Sequence, residues 1–284
     1  MKLNALRKVG ALAAVSAVSL GYAVAGPSSY TAPPADPGIL PPPPPPTGGG
    51  GGIWDSVGAT LSTGYDTDYI FRGYDYGHDS VWTQLDLSVP LGDSLEFAVG
   101  AWYQNAFNGD GFSELDVYAS LAYDFGTWGV EIGYTHYSYP QGFPDLGPDD
   151  PGSNGDETNE AYISAGTTIG PVDVALAYYY FDLEVSYLEA TAGTSIPLSS
   201  YVSLDPSIGL SYIDIDNGPA GVEDSGLNHF FARLEMPIKL TESATLTPYI
   251  ATSVAQDVAE DYNRNGLANA DDLFYGGISL SVDF

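Results

Sequence analysis

The chain has 284 residues, no cysteine, and 37 acidic against seven basic residues, a formal charge of −30 at neutral pH. Such a charge repels a polyphosphate backbone and excludes nucleic acid as a partner. Without cysteine there is neither a disulfide framework nor an N-terminal lipidation site.

The first 25 residues read as a secretory leader. Lys2, Arg7 and Lys8 make a basic start, Ala11 to Leu20 an apolar stretch, and Ala23-Val24-Ala25 a small-x-small cleavage site. The stretch is short and rich in small residues, which argues against a membrane anchor. Three of the seven basic residues lie in this leader. The mature chain then carries four basic against 37 acidic groups, a formal charge of −33, which suits cations, divalent metals or a high-salt habitat. After the leader no segment approaches 18 continuous apolar residues, so no helix is expected to span a membrane. Residues 26–52 are a Pro/Gly-rich linker in which Pro41 to Pro46 favour polyproline II, about 19 Å long at about 3.1 Å per residue. It is expected to be a periplasmic tether, with peptidoglycan as a candidate partner.

Residues 53–284 read as strands throughout, twelve of them, near 57–72, 79–90, 94–105, 113–125, 128–138, 158–170, 171–182, 184–197, 200–213, 227–240, 243–256 and 273–284. Their side chains alternate with period 2: Val81, Leu85, Leu87 and Val89 oppose Gln84, Asp86 and Ser88. Tight turns at Gly92-Asp93, Gly126-Thr127, Gly170-Pro171, Leu198-Ser199 and Thr241-Glu242 alternate with long polar links at 66–79, 105–113, 139–157, 214–226 and 257–272, and the short link near Asp182–Glu184 is the exception. A transmembrane barrel has short turns on one side and long loops on the other in this order. Tyrosines gather at strand ends, as at Tyr65, Tyr69, Tyr123, Tyr178 to Tyr180 and Tyr212, where ring and hydroxyl suit the headgroup level. Pro206, Pro237 and Pro248 fall inside expected strands and each removes a ladder donor, so bulges are expected there. The final strand, Leu273 to Phe284, ends on an aromatic residue. In this it resembles Gram-negative outer-membrane barrels, where such a strand is the signal to the barrel-assembly machinery. The expected fold is an all-β, antiparallel up-and-down barrel of about twelve strands, in the outer membrane with lipid and lipopolysaccharide around it.

The segment Leu61 to Gly73 contains Tyr65, Asp68, Tyr69, Phe71, Arg72 and Gly73 in the pattern Y-x-x-D-Y-x-F-R-G. It is similar to the opening strand of the TorF-like putative porins, and Tyr134 to Pro140, Glu157 to Glu160 and Val185 to Glu189 agree. The resemblance implies an outer-membrane barrel with pore activity and no catalytic residues.

Three constellations could carry function. Taking the polar phase as inward places Asp86, Glu96, Asp116, Asp124, Glu131, Glu160, Asp173, Glu189, Asp205, Glu235 and Asp283 in the lumen or at its mouths, with Arg72, Arg233 and Lys239 as counter-charges. This excess of acid favours cations; inward Tyr118, Tyr162, Tyr179, Tyr187 and Tyr249 would instead occlude a narrow barrel. Asp261, Asn263, Asn265, Gly266, Leu267, Asn269 and Asp272 repeat the spacing of a calcium loop, oxygen ligands at positions 1, 3 and 5 and a glycine at 6. Ca2+ is the candidate cofactor there, with an ordinary acidic loop as the alternative. His136 and Ser138, two apart on a strand, share a face and resemble the base and nucleophile of the outer-membrane phospholipase, with Asn154 or Asn159 as the orienting residue. The expected function is a non-enzymatic, cation-favouring porin for passive diffusion. The alternatives are a closed structural barrel holding divalent cations in its outer loops, and a barrel esterase using Ser138 and His136.

Overall fold

The computed structural model describes residues 57–108, 113–140, 157–182, 184–216, 223–264 and 270–284. The strands in chain order are β1 (Gly58–Phe71), β2 (Tyr74–Pro90), β3 (Leu95–Asn108), β4 (Ser113–Asp124), β5 (Trp128–Ser138), β6 (Glu157–Ile169), β7 (Val172–Phe181), β8 (Val185–Gly193), β9 (Ile196–Pro197), β10 (Ser203–Ile215), β11 (Asp224–Glu235), β12 (Ile238–Lys239), β13 (Ala244–Ala255) and β14 (Leu273–Asp283). β9 and β12 are two-residue stubs beside tight turns. The other twelve each pair antiparallel with their chain neighbours, and β1 closes the ring on β14 from Thr60↔Asp283 to Asp66↔Gly277. The fold is therefore a closed twelve-stranded up-and-down barrel, as the alternation and turn spacing predict.

Its two faces are inverted relative to a water-soluble sandwich. Outward positions carry large apolar side chains, with Leu85 45%, Ile163 49% and Ile250 50% exposed. Inward positions carry Ser, Thr, Gln, Asp, Glu and Tyr, nearly all buried. An apolar exterior around fully paired strands is what a bilayer requires, because lipid offers no partners to free backbone groups. The outer tyrosine belt is present at Tyr65, Tyr123, Tyr178, Tyr180 and Tyr212, whereas Tyr69 and Tyr179 turn into the interior.

Flat rings over glycine make the wall. Gly64 pairs with Trp82, Gly100 with Tyr118, Gly133 with Tyr162 and Gly209 with Phe231 across adjacent strands, and a Cβ at any of these glycines would collide with the ring opposite. Each lumen-facing ring lies over the neighbouring backbone, which shields the ladder and pins the register.

The prolines sit where the ladder is interrupted. Pro206 lies one residue past the last β8–β10 pair, Ser207↔Gly193. Pro237 occupies the break between β11 and β12. Pro248 lies one residue past the last β11–β13 pair, Glu235↔Tyr249, and its carbonyl accepts from Met236 N at 3.0 Å.

Two expected loops are corrected. The link at 66–79 is a hairpin with only Arg72 and Gly73 at its tip, because both take positive φ (49° and 85°) and close a two-residue turn. The acidic link at 257–272 begins with a helix, α1 (Asp257–Arg264), with Asp257 and Glu260 in its first turn, where carboxylates complement the helix dipole. Asp261 and Asn263 of the calcium pattern lie on this helical backbone, which is not the curled loop that the pattern needs at its first positions. Asn265, Leu267 and Asn269 lie outside the described residues, as do the leader, the proline segment and Asn154. Asp272 is exposed and accepts a hydrogen bond from Ala255 N at 3.2 Å.

The glycine–ring pairs yield a test. Gly100→Val is expected to push the Tyr118 ring from the wall and destabilise the barrel by about 1–3 kcal/mol, read as a lower urea midpoint for the folded, heat-modifiable band in lipid vesicles. An unchanged midpoint would show that the ring does not depend on the missing side chain.

Candidate functional site

The hairpin tip supplies the site. Between Asp68 and Ile70 the β1–β2 register shifts, a bulge that bends the strand pair. Beyond it Tyr69, Ile70, Phe71, Arg72 and Tyr74 are all buried, although among the described residues neither β14 nor β3 pairs with the hairpin there. They lie inside the barrel. Ile70 packs with Tyr249, Ala251 and Tyr275, and Tyr69 and Phe71 join the main buried cluster.

The polar contacts of the tip trace its path across the lumen. Tyr69 Oη donates to Glu114 Oε2 on β4 at 2.9 Å. Arg72 Nη2 meets Glu160 Oε2 on β6 at 3.0 Å. The guanidinium carbon lies 4.4 Å and 4.5 Å from the ring centres of Tyr179 and Phe181 on β7, 4.2 Å from that of Tyr187 on β8, and 4.8 Å from that of Phe71. The Arg72 carbonyl accepts from Asn228 Nδ2 on β11 at 2.7 Å, and Tyr74 Oη donates to Asn228 Oδ1 at 3.0 Å. In the ring of twelve, β7 and β8 stand opposite β1 and β2. The tip therefore spans the barrel and docks on the far wall.

Charge explains the strength of this docking. Arg72 and Glu160 are both nearly free of solvent, at 6% and 0% side-chain exposure. Removing one partner of such a pair leaves the other charge unpaired in a dry interior, at a cost of about 3–5 kcal/mol. Tyr137 Oη donates to Glu160 Oε1 at 3.1 Å and occupies its second oxygen. His229, under the tip, meets Tyr187 Oη through Nε2 at 2.9 Å and Ser253 Oγ through Nδ1 at 2.8 Å.

Below the tip, most of the acids have tyrosine or arginine partners. Tyr118 and Gln84 hold Asp86, Tyr162 Oη donates to Glu131 at 2.5 Å, and Tyr187 Oη to Glu189 at 3.1 Å. Arg233 pairs with Glu235 at 2.8 Å and lies over the Tyr249 ring, whose hydroxyl donates to Asp66 at 2.6 Å. Among the described residues seven carboxylates are buried: Asp66, Asp86, Glu114, Asp116, Glu131, Glu160 and Glu189. Asp116 is in no salt bridge. The five tyrosines expected to occlude the lumen are all buried, none more than 7% exposed.

Of the lumen residues expected from sequence, Arg72, Asp86, Asp116, Glu131 and Glu189 are inside the barrel. Glu96, Asp173, Asp205, Arg233 and Glu235 are partly buried toward the short-turn end. Asp124 is half-buried and Asp283 exposed at the same end. The period-2 pattern of β4 takes in Glu114 with Asp116, whereas it does not single out Asp66, Tyr74, Asn228 or His229. The signal for the tip was present, since Tyr69, Ile70 and Phe71 interrupt an otherwise polar link with three large apolar residues. His136 and Ser138 occupy the outward phase of β5, and His136 Nδ1 lies 2.9 Å from Asn159 Oδ1.

Outward of the last lipid-facing pair, Tyr65↔Val81, the neck of the hairpin holds Asp68, Asp75 and His78. Each offers one possible metal-ligand atom within 4.8 Å of the others. His78 Nδ1 is 2.5 Å from Asp68, and its pKa is raised, first by that hydrogen bond and then by the charge of Asp75. A raised histidine pKa contributes stability that is complete below the ordinary value of 6.5 and is lost as pH rises through the folded value. His78 is expected to titrate by NMR above 6.5, with amides of the neck exchanging faster on the alkaline side. Asp68→Asn should lower the midpoint; a midpoint unmoved by that change would sink the assignment.

A family model described as a bacterial protein of unknown function, Gcw_chp, matches residues 55–227. No curated protein is detectably similar in sequence. Among solved structures, the chain is similar to the KdgM porin in complex with disordered oligogalacturonate, 11% identical over 79% of this chain and 99% of that one, with a TM-score of 0.47. It is similar to the translocator domain of the autotransporter NalP from Neisseria meningitidis, at 12% identity over 84% and 90% and a TM-score of 0.46. The corresponding values for an outer-membrane channel from Pseudomonas putida F1 are 13%, 80%, 94% and 0.46. Resemblance at this level concerns the shape of the chain and carries no substrate. The sequence match takes in the in-folded hairpin and most of the wall it docks on, and by it the chain belongs to the Gcw_chp family of bacterial proteins.

Proposed function

We propose that the protein is a porin-like outer-membrane channel for small solutes, cation-favouring through its acidic interior, with the β1–β2 hairpin as its gate. The observation that carries this reading is the docking of the hairpin tip across the lumen. The contacts that hold the tip include an ion pair, side-chain hydrogen bonds, and the packing of Tyr69, Ile70 and Phe71 in the interior. Displacing such a plug breaks these polar contacts and uncovers the buried rings, while the wall stays paired. Its polar surroundings hydrate readily once it moves, which a core of aliphatic side chains would not do. The excess of buried carboxylates over arginines gives the pathway a negative potential. The apolar belt supports insertion in the outer membrane, and the resemblance to TorF-like putative porins rests on the hairpin motif itself.

A second reading has one specific observation in its favour. Asn159 on β6 stands directly opposite His136 and bonds its ring nitrogen, as an orienting residue would. Asn159 also accepts from Tyr134 Oη at 2.7 Å and donates to Asp182 at 2.7 Å. An esterase on the lipid face would lose hydrolysis of a fluorogenic ester in Ser138→Ala, whereas activity that survives the change discards this reading.

The gate is tested by a lock. A Cβ built on Gly73 lies 3.1 Å from His229 Cβ, close to the separation of about 3.5–4.5 Å that a disulfide spans. The chain has no native cysteine, so Gly73→Cys/His229→Cys forms a single defined crosslink. In planar bilayers the oxidised variant is expected to be silent, and reduction should restore stepwise current. Equal currents in both states reject the hairpin as gate. Silence of both states and of the native protein favours a closed structural barrel.

A further inference from the structure

We infer that the cage now filled by Arg72 is a binding site for organic cations bearing a guanidinium group, and that such cations are a class of solute the lumen accepts. The inference rests on the gated-channel reading, since the cage empties only when the tip withdraws. Its basis is the ownership of the cage. Tyr179 and Phe181 belong to β7, Tyr187 to β8 and Glu160 to β6, all on the wall opposite the hairpin. Of the groups around the guanidinium, Phe71 alone leaves with the tip. Withdrawal therefore exposes an assembled box of three rings and a carboxylate rather than a collapsed gap.

The chemistry of that box is selective. Ring faces attract cations, and a planar guanidinium both stacks on them and donates in-plane hydrogen bonds to a carboxylate. A hydrated alkali ion cannot stack, and an anion is repelled. Glu160 stays oriented without Arg72, because Tyr137 still donates to its other oxygen at 3.1 Å. The chain's own arginine is thus an internal occupant that a free guanidinium solute would replace.

Chemical rescue tests this. Arg72→Ala removes the occupant and leaves the wall intact; Arg72→Gln serves if the first variant does not give the heat-modifiable folded band. Methylguanidinium, at millimolar concentrations far below denaturing ones, is the probe, with sodium at equal ionic strength as control. In detergent, methylguanidinium should raise the thermal midpoint of the variant by several degrees while leaving the native protein unmoved. In bilayers it should block the current of the variant with a half-blocking concentration at least tenfold below that for the native channel. Adding Glu160→Gln should weaken both effects at least tenfold. If the variant conducts but shows neither block nor thermal shift beyond sodium, the cage is not a guanidinium site. If the variant is silent in bilayers yet shows the shift, the gate reading fails and the binding site stands.

Discussion

A guanidinium taken out of water must find a carboxylate and a polarisable surround, and the barrel interior is arranged around that requirement at Arg72. Its charge meets Glu160 at 3.0 Å, and four aromatic rings lie within 4.8 Å of its central carbon. The pairing sets where the hairpin tip must sit, because Arg72 reaches Glu160 only if the β1–β2 turn crosses the lumen. Positive φ at Arg72 and Gly73 closes the turn in two residues, and a Cβ at Gly73 would press on His229. A longer or looser turn would not fit against the far wall.

The rest of the interior accommodates this crossing. Twelve strands leave little space, and rings laid flat over Gly64, Gly100, Gly133 and Gly209 thicken the wall without filling the centre. Tyrosine is suited to both tasks here. Its ring covers backbone, and its hydroxyl holds a carboxylate in place, as Tyr118 does for Asp86, Tyr162 for Glu131 and Tyr249 for Asp66. The interior is polar, with hydroxyl–carboxylate and arginine–carboxylate contacts at several positions that water can replace. That distinguishes it from an aliphatic core, whose opening would cost the whole of its buried area.

The outer part of the hairpin and its buried tip are mechanically continuous. Asp68, Asp75 and His78 brace the neck just beyond the lipid band, and the bulge between Asp68 and Ile70 is the bend. Protonation at the neck and ion pairing at the tip therefore act on one element.

The sequence by itself determined the barrel. Period-2 alternation with a polar phase and an apolar phase admits one arrangement in lipid, and the tight turns set the strand order, so ends such as Trp128 and Ser138 fall where the pattern puts them. Asp86, Asp116, Glu131, Glu160 and Glu189 lie inside on that phase, while Asp283 is exposed at the strand end. Local pattern failed where the chain leaves it. Residues 66–79 read as a polar loop because four acids and two glycines set its local character against Tyr69, Ile70 and Phe71, and nothing local says that those three turn inward. Only the closed barrel brings Glu160, Tyr179 and Tyr187, some 90 to 115 positions along the chain, to face Arg72. Distance in sequence hides such a cage, since its members share no spacing and meet solely because the ring of strands closes.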